Sequence, residues 1–168
     1  TLDRRYRLRL MLVPSSGGYL AELRALAARL APDRVEFREP VGPDAVVEAI
    51  ADCDLGLAVI PPIDTSYRLA LPNKLFDYLM AGLAVVLGPS PEMLDVCRPF
   101  ACGLVAQDHS VDSVAALLTG QTAQTIDACK RGSLAAARVH NAEREMAVLG
   151  ALYERLLATR AATLGAET

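Results

Sequence analysis

The sequence is poor in the residues that build metal centres and disulfide frameworks. It contains four cysteines, at positions 53, 97, 102 and 129, without a Cys-x-x-Cys pair, and only two histidines, His109 and His140. A structural zinc site needs its ligands more closely clustered, so we expect no metal ion. Cys53 lies in an apolar run and is predicted to be a buried thiol of the kind found in a reducing cytoplasm, and we expect no disulfide.

Long apolar runs and a concentrated positive charge are also missing. No uninterrupted apolar segment reaches the roughly 18 to 20 residues of a membrane-spanning helix, and no signal peptide opens the chain. We therefore expect a soluble, cytoplasmic protein. A net charge of -3 does not suit a nucleic-acid surface. The arginines near the start are predicted to form a solvated face; they are Arg4, Arg5, Arg7 and Arg9.

Hydrophobic residues, in contrast, are plentiful. Of the 168 residues, 52% are hydrophobic, which is enough for one domain with a sizeable core. Apolar runs of strand length occur at residues 8–13, 35–37, 54–60, 83–87 and 103–105. They alternate with helical periodicity, which predicts an α/β fold with a doubly wound, mostly parallel, Rossmann-like sheet over residues 1–168.

Helices are predicted between these strands, at residues 19–30, 43–52, 72–82, 92–96 and 111–118. C-terminal helices are predicted over residues 122–160, with a break at 138–141. Two prolines exclude a helix or a central strand in residues 61–71, which are predicted to be a loop. Ligands bind beyond the carboxyl ends of parallel strands, so the segments of interest are 14–18, 38–43, 61–71 and 88–91.

The predicted helix that starts at Pro72 has features of an anion-binding site. The preceding Leu71 has no side-chain acceptor for the first-turn amides, which leaves them to water or to an anion such as a phosphate. Lys74 lies in this first turn, where a cation opposes the helix dipole unless an anion is near. Asp77 follows at i+3 and can accept hydrogen bonds from sugar hydroxyls. A simple Lys74–Asp77 surface pair is the alternative interpretation.

Residues 71–86, with the sequence LPNKLFDYLMAGLAVV, resemble a family signature. It is that of the carboxyl-terminal domain of GT-B-fold glycosyltransferases, in the group that transfers sugars from nucleotide donors with retention of configuration (glycosyl transferases group 1). Segments 35–42 and 49–61 are similar to further segments of the same family, and the resemblance covers about residues 8–120. It implies one half of a two-domain enzyme whose amino-terminal domain holds the acceptor. The start at Thr1, close to a strand, fits a piece of a longer polypeptide.

The resemblance implies roles for individual residues at the Pro72 helix. Lys74 would hold the donor diphosphate, with Asn73 beside it. Asp77 stands where the family has a glutamate that binds the ribose hydroxyls. Gly17 and Gly18 resemble the glycine turn that contributes to the diphosphate site, although an ordinary tight turn explains them as well.

The resemblance also implies which residues contact the nucleotide base and the donor sugar. Val41 would flank the base, and a hydrophobic turn contact is the alternative. The family's second acidic residue falls on Leu69, which carries no carboxylate. Asp64 and Ser66 are therefore the candidates for the donor sugar.

The expected function is binding of a nucleoside-diphosphate sugar as donor substrate, without a prosthetic group. Acceptor recognition, and any peripheral membrane association, would belong to the amino-terminal domain. We expect this chain alone to bind nucleotide weakly and to transfer no sugar. Relatives with this signature suggest polysaccharide or lipopolysaccharide assembly. The apolar positions 146, 149, 153 and 156 are predicted to dock either onto that domain or onto a second copy.

Two other classes share the expected sheet. A non-catalytic flavodoxin-like or receiver-like interaction module has the same architecture. A receiver needs clustered acids after its first strand, where this chain has Pro14, Ser15 and Ser16. A nucleotide-sugar epimerase needs acid and base side chains that the sequence does not offer.

Overall fold

The computed structural model describes residues 4–13 and 18–166, with side chains as far as residue 158. Over these residues the chain is an α/β protein with parallel strands, as the sequence predicts. The five strands of the described part are β1 Leu8–Met11, β2 Val35–Arg38, β3 Leu55–Ala58, β4 Ala84–Leu87 and β5 Gly103–Val105.

The strands pair as two sheets. In the first, β1 lies parallel to β2, with Leu8 opposite Val35. In the second, the order is β3-β4-β5, all parallel, with β3 on one side of β4 and β5 on the other. The carboxyl ends of β3, β4 and β5 therefore share one edge.

The core surrounds β4, whose four residues are all buried. Val85 and Leu87 face one apolar cluster, and Ala84 and Val86 face the other. An unbroken apolar run is typical of a strand that is covered on both faces. The three-stranded sheet thus has a packed layer on either side.

The helices of the described part surround these sheets. They are α1 Tyr19–Leu30, α2 Val46–Ile50, α3 Thr65–Arg68, α4 Asn73–Met80, α5 Pro91–Cys97, α6 Val111–Thr119, α7 Ala123–Ala137 and α8 Ala142–Ala166, with short 3₁₀ turns at Pro43–Ala45 and Arg98–Phe100. The predicted break at residues 138–141 is confirmed. Here the Asn141 side chain accepts a hydrogen bond from the Arg144 N–H at 3.0 Å and caps α8. None of the helices in the described part has the length and hydropathy needed to span a bilayer.

The prediction of a plain loop over residues 61–71 is wrong in part, because α3 lies within it. The two prolines precede this helix, so they do not oppose it. The Asp64 carboxylate accepts a hydrogen bond from the Tyr67 N–H at 2.9 Å and caps the helix.

Arg9 corrects the expectation of a solvated arginine face. Its guanidinium, on β1, donates to Glu36 at 3.1 Å and to Asp52 at 3.1 Å, so it links the first sheet to the residues preceding β3. Only 23% of its side chain is exposed. Cys53, predicted to be buried, is half-buried and receives a hydrogen bond from Arg9.

Candidate functional site

Helix α4 is fixed against β3 by its apolar side. Leu75 and Leu79 are fully buried in the core. The Tyr78 ring covers Gly56 of β3, where a Cβ atom would lie 2.3 Å from the ring. The Tyr78 hydroxyl donates to the Leu57 carbonyl at 3.3 Å. These contacts hold α4 against β3.

The amino terminus of α4 has no side-chain cap, as the sequence predicts. The first helical residue is Asn73, one position later than expected, and Pro72 is the N-cap residue with an extended backbone. Proline has no side-chain acceptor. The Leu75 N–H donates to the Pro72 carbonyl at 3.0 Å, and the described contacts give no partner for the N–H groups of Asn73 and Lys74. This end of α4 can bind an anion.

Lys74 and Asp77 lie on this exposed end and are not paired with each other. Among the described residues, Lys74 has no carboxylate within ion-pair distance, whereas Lys130 binds Asp54 at 2.9 Å. The surface-pair interpretation of Lys74 and Asp77 is therefore wrong. Partial burial lowers the pKa of Lys74 and raises the pKa of Asp77, because desolvation disfavours both charged forms. Two destabilised charges thus stand one turn apart.

The residues considered for the donor sugar have different environments. Asp64 uses its carboxylate to cap α3, so that side chain has a structural role. Ser66 is exposed and borders a shallow cavity of about 320 Å³, whose other lining residues are Ile60, Tyr67 and Ala70. Leu69 is 46% exposed.

Of the remaining predicted residues, the two described ones lie next to α1 and β2. Gly17 lies outside the described residues. Gly18 precedes α1 with φ of 74°, a left-handed conformation that favours glycine, which agrees with a tight turn. Val41 follows β2 and is 40% exposed. No described hydrogen bond or ion pair joins these residues to Lys74 or Asp77.

The polar pair formed by Ser90 and His109 is not among the predicted site residues. Ser90 follows β4 and is 3% exposed, and its Oγ lies 3.3 Å from His109 Nε2. Gly88 makes room for the ring, since a Cβ atom there would lie 2.3 Å from it. The Asp108 carboxylate binds the Ser110 N–H at 2.8 Å and does not orient the histidine. The pair therefore lacks the third member of a catalytic triad.

Comparisons with known proteins do not assign a family. No protein-family model matches the chain, and no curated protein matches it as a relative. Within the part of the chain that the structure describes, no three His, Cys, Asp or Glu side chains are grouped to hold a metal ion. A functional assignment therefore rests on the chemistry of the residues and their geometry.

Proposed function

We propose that this chain binds the nucleoside-diphosphate part of a sugar donor, as the Rossmann-like carboxyl-terminal domain of a GT-B-fold glycosyltransferase. The observation that supports this best is the amino terminus of α4. Within the described residues it combines the amides of Asn73 and Lys74 without a cap, a lysine without a carboxylate partner and, one turn further on, a half-buried carboxylate without an ion pair.

A diphosphate at this position would satisfy each of these groups. Its oxygens would accept hydrogen bonds from the first-turn amides, and the Lys74 ammonium would neutralise part of its charge. The Lys74 cation opposes the helix dipole in the free chain, and a bound anion reverses that cost. Asp77 would accept hydrogen bonds from the ribose hydroxyls.

The same groups would assist transfer. The leaving diphosphate gains negative charge as the bond to the sugar breaks, and preorganised amides and an ammonium stabilise charge that develops at a fixed place. Ser66 at the shallow cavity is the remaining candidate for the donor sugar. The family resemblance also assigns Gly18, Val41 and Gly17, which lies outside the described residues, to the donor, and it assigns the acceptor to a preceding domain of the same polypeptide.

Isothermal titration with UDP, GDP and ADP tests this assignment. The unidentified base makes a panel necessary, and we expect one nucleotide to bind. Lys74→Gln should weaken that nucleotide by about tenfold or more, since hydrogen bonds to charged groups contribute roughly 1.5 to 3 kcal/mol.

Lys130→Gln is the matched control. The chain has two lysines, so this variant removes the same charge from the only other ammonium side chain, which binds Asp54. It should leave the affinity within about twofold, because the Lys130 ammonium is paired with Asp54 and not with the start of α4. Equal losses in both variants would mean that Lys74 acts only through net charge.

The alternative of a non-catalytic interaction module has one observation in its favour. All described side chains of α8, residues 142–158, are exposed, and they include Met146 and Tyr153, at 64% and 60% exposure. Exposed apolar faces of this kind mark interaction surfaces. Failure of every nucleotide to bind at millimolar concentration would favour the module over the transferase.

A further inference from the structure

The outer edge of β5 is a surface that the proposed nucleotide site does not use. In the described residues β5 ends the sheet order β3-β4-β5. The Ala106 N–H donates to the Leu87 carbonyl at 2.9 Å, and successive residues of a parallel strand turn their N–H and C=O groups alternately to one side and the other. Leu104 and Ala106 therefore face β4. Gly103 and Val105 face outward, and the described contacts give their N–H and C=O groups no partner, so β5 can accept another strand.

A cavity lies beside this edge, on the α5 side of the sheet. It has a volume of about 390 Å³, and its lining residues are Leu94, Cys97, Arg98, Ala101, Gly103 and Val105. It reaches the backbone of β5 because Gly103 has no side chain. Val105, two residues later on the same face of the strand, is 42% exposed. The edge thus offers both a gap and an apolar side chain that the described chain does not cover.

A second copy of β5 fits this edge in one antiparallel register. With Leu104 on a two-fold axis, Gly103 of each copy lies opposite Val105 of the other. Both residues have outward N–H and C=O groups, so each such pair exchanges both N–H···O=C hydrogen bonds. Residues opposite each other in such a pair point to the same face, with Cα atoms about 5.5 Å apart. The Val105 side chain of one copy therefore reaches the cavity beside Gly103 of the other.

Charge and spacing on α5 agree with the same two-fold axis. Arg98 and Asp95 lie 3.8 Å apart, with 71% and 75% of their side chains exposed. The axis reverses the direction of the second α5, so Arg98 of each copy approaches Asp95 of the other and opposite charges face each other. Because α5 packs on both β4 and β5, the two α5 axes would lie about 10 Å apart, the separation of packed helices. The two helices can therefore close the cavity over the joined strands.

We propose that the outer edge of β5 is a docking surface for a second copy of this chain, which joins the two β3-β4-β5 sheets into one continuous sheet. A two-fold interface needs a self-complementary patch. Here the same strand supplies the gap at Gly103, the Val105 side chain and the outward backbone groups. Backbone hydrogen bonds provide the pairing, and the side chain that fills the cavity fixes the register.

Sedimentation equilibrium and hydrogen exchange of the full chain test this docking surface. We expect a monomer–dimer equilibrium at concentrations up to millimolar. In the dimer the Gly103 and Val105 N–H groups should exchange more slowly than in the dilute monomer, by about tenfold or more, because a hydrogen-bonded amide must open before it exchanges. The Leu104 and Ala106 N–H groups should be protected in both states, since both face β4. Amide NMR follows each of these groups separately.

Two matched variants separate this edge from α8. Val105→Lys places a charge between the joined strands and should raise the dissociation constant of the dimer by about tenfold or more. Val148→Lys adds the same charge on α8, where Val148 is 68% exposed, and should change that constant by less than about twofold.

Three results would overturn the proposal. The chain stays monomeric at millimolar concentration, or Val105→Lys weakens the dimer no more than Val148→Lys does, or the Gly103 and Val105 amides exchange equally fast in dimer and monomer. Exchange in the unaltered chain decides the matter even if a variant fails to fold.

Discussion

Lys74 and Asp77 differ from the other charged residues of the described part in how the fold treats them. Arg9 and Lys130 each reach carboxylates that stabilise their charge. Lys74 and Asp77 lose hydration without gaining such partners, and both pKa values move toward the neutral form. Natural proteins keep groups of this kind where they serve binding at some cost in stability.

This difference predicts that Asp77→Asn increases the free energy of unfolding near neutral pH. The folded-state pKa of Asp77 is raised above the unfolded value of 3.8. The native state therefore holds the proton more tightly, and stability is lost as the pH rises through the folded pKa. Asparagine removes this loss. Urea denaturation should show a higher midpoint for the variant at about pH 7, and the advantage should disappear below the unfolded pKa. A lower midpoint at neutral pH would mean that the carboxylate supports the fold.

How far single residues can be predicted depends on how local their partners are. The uncapped start of α4 was predicted because capping depends on neighbours in sequence. The cap formed by Asp64 is an exception: its partner lies three residues away, but the prolines at 61 and 62 predict a loop there. The contact between Ser90 and His109 could not be predicted, because it depends on the adjacent placement of β4 and β5.

At the level of elements, the packing of α4 on β3 positions the candidate site. The Tyr78 ring occupies the space above Gly56 that any other residue would fill. A methyl group there forces the ring, and with it α4, away from the strand. The resulting overpacking costs about 1 to 3 kcal/mol.

Gly56→Ala should therefore lower the free energy of unfolding by about 1 to 3 kcal/mol, measured by urea denaturation. Gly150→Ala is the matched control, because a Cβ atom at this helical position meets nothing within 4 Å. It should be neutral or stabilise the chain by up to about 1 kcal/mol, since alanine favours the helix over glycine. An unchanged midpoint for Gly56→Ala would show that the contact between ring and strand is not tight.

The elements themselves were largely predictable from periodicity. Helices α1 and α6 and the two C-terminal helices lie where apolar residues recur at helical spacing. Three of the five predicted strands are too long, those at residues 8–13, 54–60 and 83–87. The run at residues 54–60 forms only Leu55–Ala58, because its partner β4 ends at Leu87 and the ladder stops with it. Strand ends depend on the neighbouring strand, which one segment's sequence does not contain.

At the level of the whole molecule, α8 presents an apolar face that the described chain does not cover. The side chains of Leu149 and Leu156 are 41% and 55% exposed. Helices with one apolar stripe are normally packed against another element. The described contacts do not decide between the two predicted occupants, an amino-terminal domain and a second copy.

If no part of this chain packs against the apolar face of α8, charged side chains on that face should not change the free energy of unfolding. The double variant Leu149→Lys with Leu156→Lys should change the free energy of unfolding by less than about 0.5 kcal/mol. Leu75→Ala, in the core, should cost about 2 to 5 kcal/mol in the same urea experiment. A comparable loss in the double variant would mean that α8 packs onto the rest of the chain.

The arrangement of the strands as two sheets is the part of the fold that the sequence did not reveal. Alternating strands and helices predict parallel pairing, and every described pair is parallel. A backbone pairing between β1 and β3 would join the two sheets. Whether it forms depends on contacts between residues that lie far apart in sequence. Here Arg9 of β1 reaches Asp52, ahead of β3.

The central claim is that the start of α4 binds the diphosphate of a nucleotide. Amide NMR during titration with UDP, GDP and ADP tests it most directly, because each residue of the helix start reports separately. We predict shifts centred on residues 73–77 for one nucleotide, lost in Lys74→Ala and kept in Lys130→Ala. Shifts centred elsewhere, or no shift with any of the three at millimolar concentration, would contradict the claim.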